Sequence, residues 1–277
     1  MIPIVHNRAD LARTLAAFGR EKGGIALVPT MGALHEGHLS LVARGRALAP
    51  HVVVSIFVNP TQFAPHEDFA SYPRTLEADR AKLDRGDAAL IFAPSAAEMY
   101  PEGFATMVNM AGPAAGLESD IRPHFFAGVA TIVAKLLIAV LPDYAMFGEK
   151  DYQQLLVVKQ LVRDLGLPTE IIACPIAREA DGLAMSSRNA YLNPAERQIA
   201  GRLNLVLREA VQALRGGSAI AQTEAEAVAA LKKAGFDSID YVAVRDAQTL
   251  RPVGEAPARI LAAVRIGRTR LIDNMAV

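Results

Sequence analysis

Residues 25–42 gather the side chains best placed to do chemistry: Ile25-Ala-Leu-Val-Pro-Thr-Met-Gly-Ala-Leu-His-Glu-Gly-His-Leu-Ser-Leu-Val42. His35 and His38 stand three apart, where a glycine-bearing turn meets the start of a helix. Glycines such as Gly32 and Gly37 let backbone approach a phosphate closely. A helix N-terminus adds unpaired N–H groups and a partial positive charge, and imidazoles donate hydrogen bonds or carry protons. The combination suits a nucleotide phosphate; the alternative is that the histidines only cap the helix. A zinc-protease helix needs H-E-x-x-H, so that both imidazoles face one metal, and His35-Glu-Gly-His38 has the wrong spacing. The chain contains neither G-x-G-x-x-G nor G-x-x-x-x-G-K-[ST], which removes the dinucleotide fingerprint and the P-loop.

Further polar groups fall at the ends of apolar runs. Asn59, Thr61 and Gln62 follow Val52–Val58, where they either face a ligand or simply close a strand. Gly148-Glu-Lys-Asp151 follows Tyr144–Phe147 and puts Lys150 at a strand end, as a point charge for a phosphate or carboxylate or as an ordinary surface lysine. Met185-Ser-Ser-Arg188 places two hydroxyls and a guanidinium on a polar loop able to close over a triphosphate, or merely to link domains. Arg122 and His124 end a long irregular span. Cys174, in Ile171-Ile-Ala-Cys-Pro, reads as a buried small residue rather than a nucleophile.

The elements that must hold these groups are read from periodicity. An amphipathic helix over 8–20 ends near Gly23-Gly24. A strand over 25–28, a helix from Leu39 and a strand over 52–58 form a right-handed parallel βαβ unit. A helix over 75–85 is stopped by Gly86, and Ala88–Pro94 is a third strand. Residues 95–127 are irregular, with a possible strand over 106–110. Val129–Leu141 is a helix stopped by Pro142, followed by the strand 144–147, a helix stopped by Gly166 and the strand 170–174. After the loop 178–189 the character changes to α+β. One helix starts at Asn193-Pro-Ala-Glu196 and runs to Gly216, another covers 222–234, and strands cover 239–244 and 259–266. The fold expected is α/β, a Rossmann-like parallel-sheet domain over 1–176 with a smaller α+β domain or lid over 177–277.

Bulk properties narrow the class. The 277 residues are 52% hydrophobic and 21% charged, as in a globular protein with a substantial core. Lys+Arg and Asp+Glu are each 29, which argues against a nucleic-acid coat. A single cysteine excludes an intrachain disulfide and a multi-cysteine zinc site. His6, Arg8, Asp10 and Arg13 interrupt any secretory signal, and the longest apolar stretch, Thr131–Pro142, contains Lys135 and is too short to span a bilayer. A cytoplasmic protein without membrane or nucleic-acid partners is expected.

Taken in order, the motifs resemble a family. A strand into H-x-G-H with a late Met-Ser-Ser-Arg loop is similar to the nucleotidyl-transferring α/β enzymes that include class I aminoacyl-tRNA synthetases, with their H-I-G-H and K-M-S-K-S signatures. The segments Pro29–His38, Phe57–Phe63, Glu67–Thr75, Phe147–Asp151 and Arg178–Asn189 resemble the pantoate–β-alanine ligase family specifically. The likeness runs from near the N-terminus to about residue 200, with fewer signature positions beyond.

The resemblance implies ATP-dependent joining of pantoate and β-alanine through a pantoyl adenylate, with release of pyrophosphate and AMP, in coenzyme A precursor biosynthesis. It implies that Met31, Gly32, Ala33, Leu34, His35, Glu36, Gly37 and His38 hold ATP, with His38 in the role assigned as proton donor. It also assigns ATP contacts to Gly148, Glu149, Lys150 and Asp151, to Ala177 through its backbone, and to Met185, Ser186, Ser187 and Arg188. The catalytic set is His35, His38, Lys150 and Arg188. Gln62 and Gln154 bind pantoate, with Asn59, Tyr72 and Arg122 at the substrate. Mg2+ accompanies ATP, with Asp79 a candidate ligand, and a homodimer is implied. Ala184-Met-Ser-Ser-Arg188 lacks both lysines of K-M-S-K-S, so Arg188 carries that charge. The family's R-P-G-H-F-x-G-V reads Arg122-Pro-His-Phe-Phe-Ala-Gly-Val129 here, so Phe125 replaces a histidine and His124 a glycine. Two other readings compete: a nucleotidyltransferase acting on a phosphate-bearing substrate, which would need a basic pocket where Gln62 and Gln154 are neutral, and a non-catalytic nucleotide-binding module.

Overall fold

A computed structural model describes residues 1–19, 24–64, 67–83, 88–254 and 257–277. The chain divides into two compact units, Met1–Glu149 with Val157–Cys174, and Lys150–Leu156 with Pro175–Val277. The helix stops expected at Gly23 and Gly86 lie outside the described residues.

In the first unit, elements run β1 (Ile4–Val5), α1 (Arg8–Phe18), β2 (Ile25–Thr30), α2 (Glu36–Leu48), β3 (His51–Ile56), α3 (Leu76–Leu83) and β4 (Leu90–Phe92). They continue through the short α4 (Ala96–Met99) and α5 (Glu118–Ile121), then α6 (Phe125–Val140), β5 (Tyr144–Gly148) and β6 (Glu170–Cys174). The helix α7 (Tyr152–Asp164) lies between β5 and β6, its first turn grouping with the second unit. The strands form one sheet in the order β1-β4-β3-β2-β5-β6, every pair parallel. Strands buried on both faces read as continuous apolar runs, and Ile25–Val28 and Val52–Val54 are 2% exposed or less. The order reverses at β2, with β3 on one side and β5 on the other, so the carboxyl ends of β2, β3 and β5 border the topological switch point where open α/β sheets bind ligands.

The second unit pairs a three-stranded antiparallel sheet, β7 (Ser238–Asp246), β8 (Ala258–Ile266) and β9 (Thr269–Ala276), with α8 (Pro194–Ala200), α9 (Arg202–Arg215) and α10 (Ile220–Ala234). Leu203, Leu207 and Ala210 of α9, Leu231 of α10 and Ile260, Ala262 and Val264 of β8 share its core. Asn193 caps α8 with the expected box: its side chain accepts from Ala195 and Glu196 N–H, and Glu196 accepts the Asn193 N–H.

Several expectations change. No strand forms over 106–110; the Val108 N–H donates instead to Thr131 Oγ1 at 2.9 Å, a side-chain partner in place of a ladder. Helix α6 begins four residues early, at Phe125. The helix expected from 194 to 216 breaks at Gly201, whose Cα faces Asp181 so closely that a Cβ would lie 2.5 Å from Oδ2. Strands β1 and β9 go unread in the sequence.

Candidate active site

The turn after β2 is built by two consecutive positive-φ residues, Gly32 (φ 87°) and Ala33 (φ 51°). Such a turn points successive N–H groups inward as an anion nest. A carboxylate of the protein fills it. Asp79 of α3, 0% exposed, accepts Ala33 N–H at 2.9 Å through Oδ2 and Leu34 N–H at 2.8 Å through Oδ1, and also the Thr75 hydroxyl at 3.2 Å. Lys82, one turn further along α3, donates to the Leu34 carbonyl. The turn is therefore clamped by α3, and these two backbone donors are spent inside the protein.

His35 is the N-cap of α2, and His38 is its third residue. His35 Nδ1 accepts the Gly37 N–H at 3.1 Å, and His38 Nδ1 accepts the His35 N–H at 3.3 Å. The pair makes a reciprocal capping box from imidazoles, with ring centroids 4.1 Å apart. A ring nitrogen that accepts carries no proton. An imidazole that accepts at Nδ1 in its neutral form carries its proton on Nε2. The capping role of the histidines is present, and it engages only the Nδ1 side of each ring. Met31 lies beside this turn, its Sδ 3.2 Å from Gln62 Nε2. Glu36 opens α2, and Gly37 is buried in its first turn.

Past β3, Asn59 caps a 3₁₀ turn over Pro60–Gln62. It is 1% exposed, donates to Gln62 Oε1 at 3.0 Å and Gly128 O at 3.2 Å, and accepts from Tyr100 Oη at 2.7 Å. Asn59 thus holds Gln62 in place. Tyr72 is buried in edge contact with Phe63. Arg122 is also occupied: Nη2 donates to Gln62 O and Glu67 Oε2, both at 2.9 Å, Nε lies 2.6 Å from Glu67 Oε1, and the guanidinium sits 3.8 Å from the Phe125 ring centroid. The phenylalanine that departs from the family motif is the platform under this arginine. Burial and these partners make Arg122 a brace of the Gln62 segment. Gly148 ends β5, and Glu149 starts the 3₁₀ turn after it.

The second unit carries the remaining groups. Lys150 and Asp151 complete that 3₁₀ turn, Gln154 lies half-buried in the first turn of α7, and the Lys150 carbonyl accepts from Asn274 Nδ2 at 3.0 Å. Ala177 O accepts the Met185 N–H at 2.9 Å, closing a loop braced by the Arg178–Ala184 bridge. Ser186 then caps a 3₁₀ turn over Ser187–Tyr191, its Oγ accepting the Arg188 N–H at 3.3 Å. The polar loop is ordered by its own hydroxyl.

Asp79 and Cys174 are both enclosed by the protein. Asp79 does not fit a magnesium ligand: it is wholly buried and both oxygens accept hydrogen bonds from the β2–α2 turn. Among the described residues no three His, Cys, Asp or Glu side chains cluster as a metal site. Cys174 is buried, and desolvation pushes its thiol above the usual range, away from nucleophilic character. Asp79, Lys82, Tyr100 and Gly128 are site-building residues whose roles sequence reasoning missed, because each reaches its partner across a long stretch of chain.

Comparison with known proteins gives the family. The family model for pantoate-beta-alanine ligase matches residues 3–276. A pantothenate synthetase of Paramagnetospirillum magneticum is 55% identical over 278 residues, covering 100% of this chain and 98% of the relative. The crystal structure of pantothenate synthetase from Thermus thermophilus superposes with a TM-score of 0.93 at 48% identity, covering 99% of each chain. That of the Francisella tularensis pantoate-beta-alanine ligase, complexed with beta-gamma ATP and beta-alanine, gives 0.86 at 34% identity, covering 100% of this chain and 98% of the other. With a turn, a strand order and a full-length match in agreement, the chain belongs to the pantoate–β-alanine ligase family.

Proposed function

We propose that the protein condenses pantoate with β-alanine at the expense of ATP, through a pantoyl adenylate. In the first step a pantoate carboxylate oxygen attacks the α-phosphorus of ATP. The bond from that phosphorus to the bridging oxygen breaks, and its electron pair leaves with pyrophosphate. In the second, the unprotonated amine of β-alanine attacks the acyl carbon, the bond to AMP breaks, and the nitrogen gives up a proton.

The observation that carries this reading is the imidazole capping box. The box engages Nδ1 of both rings at the carboxyl edge of β2, and this supports a reading in which the two Nε2–H groups meet charge developing on the transferring phosphate. Because each Nδ1 is engaged as an acceptor, His38 and His35 act as hydrogen-bond donors to that charge, and formal proton transfer from His38 is not needed. Lys150 and Arg188 neutralise the same polyphosphate charge, and Ser186 and Ser187 donate to it. Gly148, Glu149 and Asp151, with the Ala177 backbone and Met185, hold the nucleotide. Gln62 and Gln154 bind pantoate, since amides donate and accept at one position, and Gln62 borders β-alanine. Magnesium belongs to the ATP phosphates, a common arrangement for that ion, and not to Asp79. A homodimer in the cytoplasm, where ATP is abundant, completes the reading; no described helix is long and apolar enough to cross a membrane.

The test is oxygen transfer. With pantoate labelled by 18O in its carboxylate, one labelled oxygen per turnover should appear in AMP. Label in inorganic phosphate, or none in AMP, would overturn the adenylate route.

A further inference from the structure

Strand β9 carries two adjacent polar residues, Asp273 and Asn274, that are 3% and 2% exposed. Buried polar groups are costly unless partnered, so their partners reveal what the pair is for. Asp273 takes the Arg178 guanidinium in a two-point grip, Nη1 to Oδ2 at 2.7 Å and Nη2 to Oδ1 at 2.9 Å. Arg178 stands at the root of the 177–188 loop and also donates to Gly182 O at 2.9 Å. Asn274 donates through Nδ2 to the Lys150 carbonyl at 3.0 Å and accepts from Arg259 through Oδ1. Arg259 in turn lies 3.8 Å over the ring of Tyr152, two residues past Lys150, and Tyr152 Oη donates to Ala247 O at 2.8 Å.

We infer that Asp273 and Asn274 are positioning residues of the ligase reaction. Asn274 fixes the main chain from which the Lys150 side chain extends, and Asp273 fixes the loop that carries Ser186–Arg188. The inference rests on the reading of Lys150 and Arg188 as groups that act on ATP. A long flexible cation is useful in proportion to how firmly its root is held, and misplacement by about 1 Å can cost about 10²-fold in rate. The rigid fork of Arg178 on a planar carboxylate supplies direction as well as attraction.

The experiment is a double-mutant cycle read by pantoate-dependent exchange of pyrophosphate into ATP. Asn274→Ala should lower the maximal exchange rate about 10-fold or more, with the KM for pantoate changed less than about 2-fold. In a Lys150→Ala background the same substitution should cause almost no further loss, because its effect runs through Lys150. If Asn274→Ala does not fold, Asn274→Asp carries the test, since it keeps the acceptor for Arg259 but sets an oxygen against the Lys150 carbonyl. Wild-type exchange in the Asn274 variant beside an impaired Lys150→Ala enzyme, or losses that multiply in the double variant, would overturn the inference alone. Wild-type exchange in Lys150→Ala would instead overturn the assignment of Lys150, and the inference with it.

Discussion

Removing the His38 ring takes away two things: the acceptor for the His35 N–H and the Nε2–H donor. The first is a capping loss of about 0.5–2 kcal/mol, which a folded domain survives. On the proposed reading the second is a preorganised donor to developing charge, and removing such a donor costs about 10²-fold or more in turnover. His38→Ala should therefore melt only a few degrees early yet turn over at least two orders of magnitude more slowly, measured by calorimetry and by AMP release. Asp79 makes the opposite case. Its loss leaves the buried Leu34 N–H without its carboxylate, at about 1–3 kcal/mol, and takes the same partner from the part-buried Ala33 N–H, so Asp79→Ala should lose more stability than His38→Ala. Asp79→Asn should leave the magnesium concentration needed for half-maximal activity unchanged, because the carboxylate holds backbone; a several-fold rise would return Asp79 to the metal. For Cys174, burial raises the thiol and keeps reagents out. Cys174→Ala should keep full activity, and iodoacetamide should label the native chain far more slowly than the unfolded one. The sequence makes His35, His38 and Gln62 legible because type and spacing sit on short contiguous segments. It hides the role of Asp79 because its partners lie 46 and 45 residues away, and a lone aspartate reads equally well as a ligand, a cap or a surface charge.

At the level of elements, the placement of the Gln62 segment depends on a notch in α6. A Cβ on Gly128 would lie 2.4 Å from Thr61 O and 2.9 Å from Gln62 N, both backbone atoms. Alanine favours the helix by about 1 kcal/mol over glycine, but forcing a methyl group against backbone costs about 1–3 kcal/mol and displaces it. Gly128→Ala should therefore raise the KM for pantoate about 10-fold or more while the protein stays folded, as steady-state kinetics and circular dichroism would report. The same substitution at Gly103, where a Cβ meets nothing within 4 Å, provides the contrast, tempered by its positive φ of 78°. The parallel strands β2 to β6 are legible because they are apolar runs, and α6 because its stripe is long; the two-residue β1 is too short to show a run. Strand β9 is not legible: Asp273-Asn274 looks like turn chemistry, and partners brought from 150, 178 and 259 help make the pair tolerable inside a sheet. The helix interruption at Gly201 is hidden for a similar reason, since the Asp181 carboxylate that packs against it belongs to another segment.

At the scale of the whole molecule, the candidate residues divide between the two units. The histidines, Asn59 and Gln62 belong to the first, while Lys150, Gln154 and Ser186–Arg188 belong to the second. Sequence order reveals this poorly, because Lys150–Leu156 interrupts the first unit. The assembly reading predicts twice the chain mass by light scattering at micromolar concentration, and a single-chain mass would contradict it. The central claim, carboxylate activation by adenylation, is tested most directly by a single-turnover measurement of pyrophosphate. With ATP and pantoate alone, the enzyme should release about one pyrophosphate per site and stop, holding the adenylate, and β-alanine should then release AMP and restart turnover. Formation of ADP and phosphate, or no pyrophosphate until β-alanine is added, would contradict the account.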